Sequence, residues 1–571
     1  MDGIVERPRR RDVSLPKGRQ VEEEALAEVA ALLGAMPRRR DLLIEALHRV
    51  QDAHGHLSAR HLAALAEAFR LSQAEVYEVA TFYHHFDVVR EGEAPPPPVT
   101  IRVCDGLSCE MAGARALIEA LAPEGVRVQP VPCIGRCAEA PAAQVGLRAV
   151  GGATAEALAD LARTGIEAGD RSAALAGPLA AEIPAYQGLD AYRAAGGYGV
   201  LARVRSGALP AEEAVSVMSD AGLRGLGGAG FPAGRKWGFV RGYDGPRLMT
   251  INGDEGEPGT FKDRFWLESA PHRMLEGALI AAHVVGCERI YLYMRDEYPA
   301  VLEILRREVA ALEAAGLLST PIEIRRGAGA YICGEESAML ESIEGRRGLP
   351  RHRPPYIAEV GLFGRPTLNH NVETLSWVPD ILRHGAAWFA GQGEEGHCGP
   401  RAYSVSGRVR EPGVKVAPAG ITLRRLIEEH CGGMAEGHRL KAFLPGGASG
   451  GIFPASMADL PLDFGTFERH GGFVGSHAVV VLGEGDGVRD AALNTMRFFR
   501  HESCGQCTPC RAGTEKMVRL LDGPPAARAL YEDLMGVMRD ASICGLGQAA
   551  ANCVRHLMEH FPEELALEEP S

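Results

Sequence analysis

Gly222-Leu-Arg-Gly225-Leu-Gly227-Gly228-Ala-Gly230-Phe231-Pro-Ala-Gly234-Arg235-Lys236-Trp237 packs six glycines into thirteen positions and ends in a cationic pair. Glycine lets backbone N–H groups approach a phosphate closely, and lysine adds a compact positive charge. The run lacks the Gly-Lys-Ser/Thr ending of a P-loop, and it lacks the acidic residue about 20 positions on that completes a dinucleotide fingerprint. From the residues alone it is either a phosphate cradle or a flexible structural loop. Around it, from 186 to 400, glycine-rich loops alternate with apolar strands such as Arg289 to Tyr293 and helices such as Tyr298 to Ala314. That alternation is the pattern of an α/β core.

Two more turns in this region carry chemistry. Asn252-Gly253-Asp254-Glu255-Gly256-Glu257-Pro258-Gly259, with Lys262, Asp263 and Arg264 behind it, groups an amide and three carboxylates around glycines. Such a turn either hydrogen-bonds a polar heterocycle or lies on an acidic surface, and composition alone favours the surface. Gly327-Ala-Gly329-Ala-Tyr331-Ile-Cys333-Gly334-Glu335-Glu336 brings two further acids into an apolar segment. Buried acids need a partner or a ligand.

Eight of the thirteen cysteines fall into two sets: Cys104, Cys109, Cys133 and Cys137, then Cys504, Cys507, Cys510 and Cys544. No export signal is expected, because the basic run Arg7, Arg9, Arg10, Arg11 is followed by Asp12 and the acidic Glu22 to Glu24 rather than an apolar stretch. Clustered thiolates in such a chain are metal ligands before they are disulfides. Three cysteines at x2 spacing plus a distant fourth fit one [4Fe–4S] cubane. The two pairs of the first set fit zinc or an iron–sulfur cluster by spacing. Cys553 reads as a buried thiol, as do the isolated Cys287, Cys333, Cys398 and Cys431. His54, His56, His84 and His85 read as helix-end histidines of a bundle, since no carboxylate or cysteine pattern accompanies them in sequence.

At 571 residues several domains are expected. The balance of 61 basic against 74 acidic side chains, −13 in all, argues against a nucleic-acid binder. No stretch approaches the roughly 20 apolar residues of a membrane span, and a cytoplasmic protein is expected. Helical spacing of apolar residues marks 21–92 as a helical bundle behind a mobile tail at 1–20, with Ser58 as an N-cap and Ser72 with Glu75 as a capping box. Pro95 to Pro98 form a stiff spacer. Strand and helix signals at 98–166 give a compact thioredoxin-like unit with both cysteine pairs just beyond strands. Residues 167–185 read as a linker, 186–400 as the α/β domain, 401–482 as a strand-rich domain and 483–571 as a helical domain.

The glycine loop, the Asn252 to Gly259 turn, the Tyr331 to Glu336 segment, Asn371-Val-Glu373-Thr374 and Ser503-Cys504-Gly-Gln-Cys507-Thr-Pro-Cys510, in this order, resemble the flavin-bearing, 51-kDa-type NADH-oxidising subunit of the complex I family. That family includes the diaphorase subunits of NAD-reducing hydrogenases and of NAD-dependent molybdenum or tungsten formate dehydrogenases. The N-terminal part, with its two cysteine pairs, resembles the 24-kDa-type [2Fe–2S] subunit, here fused in front. The resemblance covers nearly the whole chain. It implies a multidomain α/β and α+β protein: a helical bundle plus thioredoxin-like [2Fe–2S] domain, a Rossmann-like FMN/NAD domain, a β-grasp-like domain and a C-terminal helical [4Fe–4S] bundle.

The same resemblance implies that Gly225, Gly227, Gly228 and Lys236 hold FMN, and that Asn252, Asp254 and Glu255 line its ring with Gly334, Asn371 and Thr374. Glu257 is expected to position the nicotinamide, Phe231 and Phe239 to stack on the adenine, and Tyr331, Glu335 and Glu336 to lie against the nucleotide. A carboxylate beside the adenosine ribose disfavours NADP by charge repulsion. Leu226, Arg353, Tyr356 and His370 depart from the complex I pattern; Leu226 and Arg235 lean towards the formate dehydrogenase branch. The implied partner is a catalytic subunit with further iron–sulfur clusters and a molybdopterin molybdenum or tungsten site. The alternatives are a hydrogenase or complex I-like assembly and, in another class, an electron-transfer adaptor that has lost its flavin.

Overall fold

The computed structural model describes residues 18–121, 125–565 and 567. The expected mobile tail therefore falls, over residues 1–17, outside the described residues. Helices Glu23–Leu33, Leu43–His54, Ala59–Phe69 and Gln73–Ala80 form the N-terminal bundle, with β1 (Leu57–Ser58) and β2 (Val88–Val89) pairing in parallel beside them. Ser58 caps its helix by accepting from the His61 N–H, and Ser72 with Glu75 forms the capping box.

β3 (Val99–Cys104), β4 (Val126–Val131), β5 (Ala143–Val145) and β6 (Arg148–Val150) follow, in the order β4-β3-β5-β6. β3 and β4 are parallel, and the other two pairs are antiparallel. The segment expected to be a linker is not one throughout. Asp170 caps a short helix, Arg171–Ala176, and Ala174 and Leu179 are buried in the core of the thioredoxin-like unit. Leu175 packs against the same core, and the Arg171 guanidinium donates to the Asp52 carbonyl at 3.2 Å.

β7 (Arg247–Gly253), β8 (Cys287–Met294), β9 (Ile322–Arg326) and β10 (Thr367–Asn371) make an all-parallel sheet in the order β10-β7-β8-β9. Helices connect its strands, and Pro271–Val285 is buried along most of its length. β11 (Pro400–Gly407), β12 (Gly413–Pro418), β13 (Leu440–Leu444), β14 (Phe453–Pro454) and β15 (Ala478–Gly483) form a mixed sheet ordered β12-β11-β15-β13-β14. Helices from Val488 to His560 complete the chain.

One apolar core runs through all of these units, taking in Leu107 of the thioredoxin-like unit and Leu444 of the mixed sheet. Phe86 of the bundle, Ile332 of the α/β domain and Met496 and Phe499 of the C-terminal helices belong to the same buried cluster. A buried ion pair, Arg325 to Asp41 at 2.8 Å, and a half-exposed one, Arg326 to Asp52 at 2.6 Å, pin the bundle to β9. Removing one partner of such a pair strands the other charge away from water, at a cost of about 3–5 kcal/mol when burial is complete.

Candidate flavin and iron–sulfur sites

The glycine loop lies between helices Ala211–Asp220 and Ala233–Arg241 and closes on itself. The Gly225 N–H donates to the Phe231 carbonyl at 2.8 Å, and the Gly230 N–H returns to the Gly225 carbonyl at 3.2 Å. Gly228 sits at φ +123°, where a side chain is strained, and a Cβ on Gly227 would come within 3.0 Å of the Asn371 Cβ. The Leu226 N–H donates to Thr374 Oγ1 at 2.9 Å. Lys236 is drawn under the loop, its Nζ donating to the Asn369 carbonyl at 3.1 Å, and burial lowers its pKa. These contacts hang the loop over the carboxyl ends of β7 and β10, where Asn252 and Asn371 are in register. The carboxyl edge of a parallel sheet is where α/β folds take ligands.

Asn371 caps helix Val372–His384, its Oδ1 accepting from the Glu373 and Thr374 N–H groups at 3.0 and 3.4 Å. Asn252 Nδ2 donates to the Gly334 carbonyl at 2.8 Å, and its Oδ1 accepts from the Asp254 N–H at 3.0 Å. The Tyr331 to Glu336 segment is thereby tied to the Asn252 turn. Asp254 Oδ2 is buried without a hydrogen-bond partner, and burial holds that carboxyl well above its usual pKa. This unsatisfied acid lies near Gly334, where a ligand can supply the missing donor, and the glycine loop beside the half-buried Lys236 ammonium fits a phosphate. The residues present therefore suit a flavin.

Glu255 does something else. Its carboxylate accepts from the Asp263 and Arg264 N–H groups at 2.8 and 3.1 Å and from the Tyr298 hydroxyl at 3.1 Å. It anchors the start of helix Lys262–Ser269, so its side chain is engaged inside the protein rather than presented to a ring. Glu257 Oε1 accepts from the Ser449 N–H at 2.8 Å and from the Ser449 hydroxyl, and burial pushes its pKa up to about 7.

At the mouth, the Phe231 and Phe239 rings are 39 % and 52 % exposed with centroids 6.1 Å apart. The Arg235 guanidinium lies over both rings, 6.0 and 5.8 Å from their centroids, and the exposed parts of the rings are open to a planar base. The Tyr331 N–H donates to Glu502 Oε2 at 2.9 Å. Glu335 caps the following helix through the Ser337 and Ala338 N–H groups, and Arg353 pairs with both Glu335 and Glu336, the latter at 3.1 Å.

The first cysteine set converges. Cys104 ends β3, Cys109 lies on the short helix Leu107–Met111, and all four thiols are buried. Cys133 and Cys137 Sγ are 3.2 Å apart; Cys104 and Cys137 are held well above the usual thiol range by hydrogen bonding to Cys109 and Cys133, while Cys133 is held below it. Phe261 and Val414 close over the second pair, so this set faces the flavin-side domain. In the C-terminal set Cys510 is buried and Cys504, Cys507 and Cys544 are partly exposed. Burial raises Cys510 to about 12 and Cys544 to about 11, and neighbouring cysteines add to both shifts. Thiols gathered in this way form a donor set that a cationic cluster stabilises by taking up thiolate charge. Cys553 instead donates to the Ala448 carbonyl at 3.2 Å.

Sequence reading missed Ser449, Asn369 and Glu502, which complete this site from distant positions. The run Gly446-Gly447-Ala448-Ser449-Gly450-Gly451 was the available signal for the first. Sequence reading named Lys262 beside the turn but gave no role to this buried cation, which lies 2.8 Å from Asp263 and 3.1 Å from Glu373, while Asp263 in turn accepts from Asn371.

This fold and site define a flavin- and iron–sulfur-binding subunit of an NAD-linked oxidoreductase. Residues 218–380 match the Nuo51 FMN-binding domain, 29–164 the thioredoxin-like [2Fe-2S] ferredoxin, 490–568 the NADH-ubiquinone oxidoreductase-F iron-sulfur binding region and 403–453 the SLBB domain. The F 2 subunit of the NADH-quinone oxidoreductase of Rhizobium meliloti (strain 1021) is 41% identical over 67% of this chain and 94% of its own length. The F subunit of the corresponding oxidoreductase of Aquifex aeolicus (strain VF5) is 40% identical over 67% and 92%. A crystal structure of NAD+-reducing [NiFe]-hydrogenase in the air-oxidized state contains a chain 32% identical to this one. The likeness covers 94% of this chain and 95% of that one, with a TM-score of 0.81. The chain belongs to the family of NADH-quinone oxidoreductase F subunits, and its domains are those for FMN, NADH, a [2Fe–2S] and a [4Fe–4S] cluster. Among the described residues no helix is long and apolar enough to cross a membrane.

Proposed function

We propose that this chain is a diaphorase subunit that moves hydride between NAD(H) and FMN and passes single electrons through its iron–sulfur clusters. The observation that carries the reading is a glycine loop tied to Thr374 beside the half-buried Lys236, at the carboxyl ends of β7 and β10. FMN supplies the conversion between two-electron and one-electron chemistry when bound, and the clusters supply the outlet. The chain's own residues bind, orient and exclude water. Gly225, Gly227 and Gly228 admit the phosphate, Asn252, Asp254, Gly334, Asn371 and Thr374 fix the ring, and Glu257 orients the nicotinamide from a carboxyl held by Ser449. Phe231 and Phe239 receive the adenine. Full-length protein with reconstituted clusters should retain FMN and reduce dyes with NADH; a folded, cluster-loaded sample with neither property overturns the reading in favour of a flavin-free adaptor.

In our reading the electron donor lies in a partner subunit. Our reading is a formate-oxidising catalytic subunit carrying molybdenum or tungsten, supported by Leu226 and Arg235 in the glycine loop and by the fusion of the two modules. A hydrogen-oxidising partner is the second reading, favoured by the likeness of the NAD+-reducing hydrogenase chain over the fused N-terminal part as well. Molybdenum or tungsten in the purified complex, with formate-dependent NAD+ reduction, supports the first. Nickel with hydrogen-dependent reduction overturns it.

A further inference from the structure

The turn after helix Gln73–Ala80 meets the last turn of helix Val488–Glu502 on the far side of Tyr331. The backbone there is fixed: His84 and His85 N–H groups donate to the Gly329 and Ala328 carbonyls at 3.3 and 3.1 Å, and the His85 ring is held by Asp296 at 2.7 Å. The His84 ring is left to face the C-terminal helix, where it lies over His501 with centroids 4.1 Å apart and planes inclined by 36°. His501 Nε2 is 3.9 Å from Glu502 Oε1. The other Glu502 oxygen already accepts from the Tyr331 N–H. One ligand atom from each of the three side chains lies within 4.8 Å of the other two.

We propose that His84, His501 and Glu502 form a binding site for a divalent transition-metal ion of the zinc type, which clamps the N-terminal module to the segment leading into the C-terminal cysteine set. Two imidazole nitrogens and one carboxylate oxygen suit zinc, and the exposed rims of both histidines leave room for water to complete the coordination. Imidazole ligates in its neutral form, and two rings 4.1 Å apart disfavour carrying two positive charges, which leaves their lone pairs ready to ligate. A second group of the same composition, Glu28, His54 and His61, lacks this readiness. There the carboxylate already serves His61 at 2.7 Å and the Arg60 guanidinium at 3.0 Å, and that cation competes with a metal for the same oxygen. Because Glu502 bridges to Tyr331, an ion on its free oxygen is connected to the flavin and nucleotide segment through a single carboxylate. The site is thus a lever on that segment as well as a clamp.

The test uses the full chain with its clusters and flavin reconstituted. Equilibrium dialysis against zinc chloride, read by elemental analysis for zinc and iron, should give one zinc per chain above the level taken up by the His84→Gln/His501→Gln double variant. Each single variant should weaken binding by about tenfold or more. X-ray absorption at the zinc edge should show imidazole scattering that the double variant loses, with iron and flavin content unaltered in every sample. Equal zinc uptake by the parent and the double variant, or no zinc retained by the parent, overturns the proposal.

Discussion

The carboxylate of Glu257, on the turn after β7, accepts both the backbone N–H and the hydroxyl of Ser449, on the loop after β13. Burial raises this acid to about 7, and the two Ser449 hydrogen bonds oppose that rise. A folded-state pKa above the unfolded value means that the native protein binds the proton more tightly. The acid's contribution to stability is therefore complete below about pH 4.5 and is lost as the pH climbs to about 7. Glu257→Gln removes the titration, so its stability relative to the parent should rise across that window by about 3 kcal/mol. Denaturant titrations at pH 5 and pH 7.5 read the difference; a gap that does not grow with pH contradicts the buried, protonatable acid.

Thr374 is the hinge pin of the glycine loop, its Oγ1 accepting the Leu226 N–H at 2.9 Å with no exposure to solvent. Thr374→Val keeps the shape and removes the acceptor. An orphaned buried N–H costs about 1–3 kcal/mol, which is on the order of tenfold or more in flavin affinity if the loop opens to relieve it. Flavin retained after dialysis should fall accordingly, while iron content stays constant. Full flavin occupancy in the variant would separate the loop from FMN binding.

Much of this architecture was legible because its signals are local. The Ser72–Glu75 capping box, the strand ending in Cys104 and the cubane spacing of Cys504, Cys507 and Cys510 are each written within a few residues, and local chemistry determines them. What escaped reading depends on tertiary partners. Ser449 matters only because the β13 loop reaches Glu257, and Glu255 is turned away from the ring-side turn because helix Lys262–Ser269 starts beside it with unpaired N–H groups. The His84 ring likewise has no sequence neighbour that marks it, since its counterparts lie at the other end of the chain. The packed helix at Arg171–Ala176 escaped for a compositional reason: alanine and glycine also make linkers, and the docking of Ala174, Leu175 and Leu179 shows only in the fold.

Glu336 bears on the choice of nucleotide. Its carboxylate is 3.1 Å from Arg353, which also pairs with Glu335. Glu336→Ala removes a negative charge and frees part of the guanidinium, so a ligand with an extra phosphate meets less repulsion and gains a cation. The ratio of kcat/KM for NADPH to that for NADH should rise by about tenfold, equivalent to about 1.4 kcal/mol. Unchanged selectivity would move the adenosine end of the nucleotide away from this pair.

Cys544 and Cys553 sit nine residues apart and should behave oppositely. Burial, with a smaller contribution from Cys504, raises Cys544 to about 11, and this cysteine precedes the short helix Gly545–Ala549 that packs beside Cys510. Cys553 is fully buried and donates its thiol proton to the Ala448 carbonyl, a bond worth about 1 kcal/mol to the fold. Cys544→Ala should abolish the low-temperature paramagnetic signal of the reduced [4Fe–4S] cluster and its share of bound iron, while the [2Fe–2S] signal from Cys104, Cys109, Cys133 and Cys137 persists. Cys553→Ala should leave both signals intact and lower the unfolding midpoint slightly. Loss of the [4Fe–4S] signal on replacing Cys553, with its retention on replacing Cys544, would exchange the two assignments.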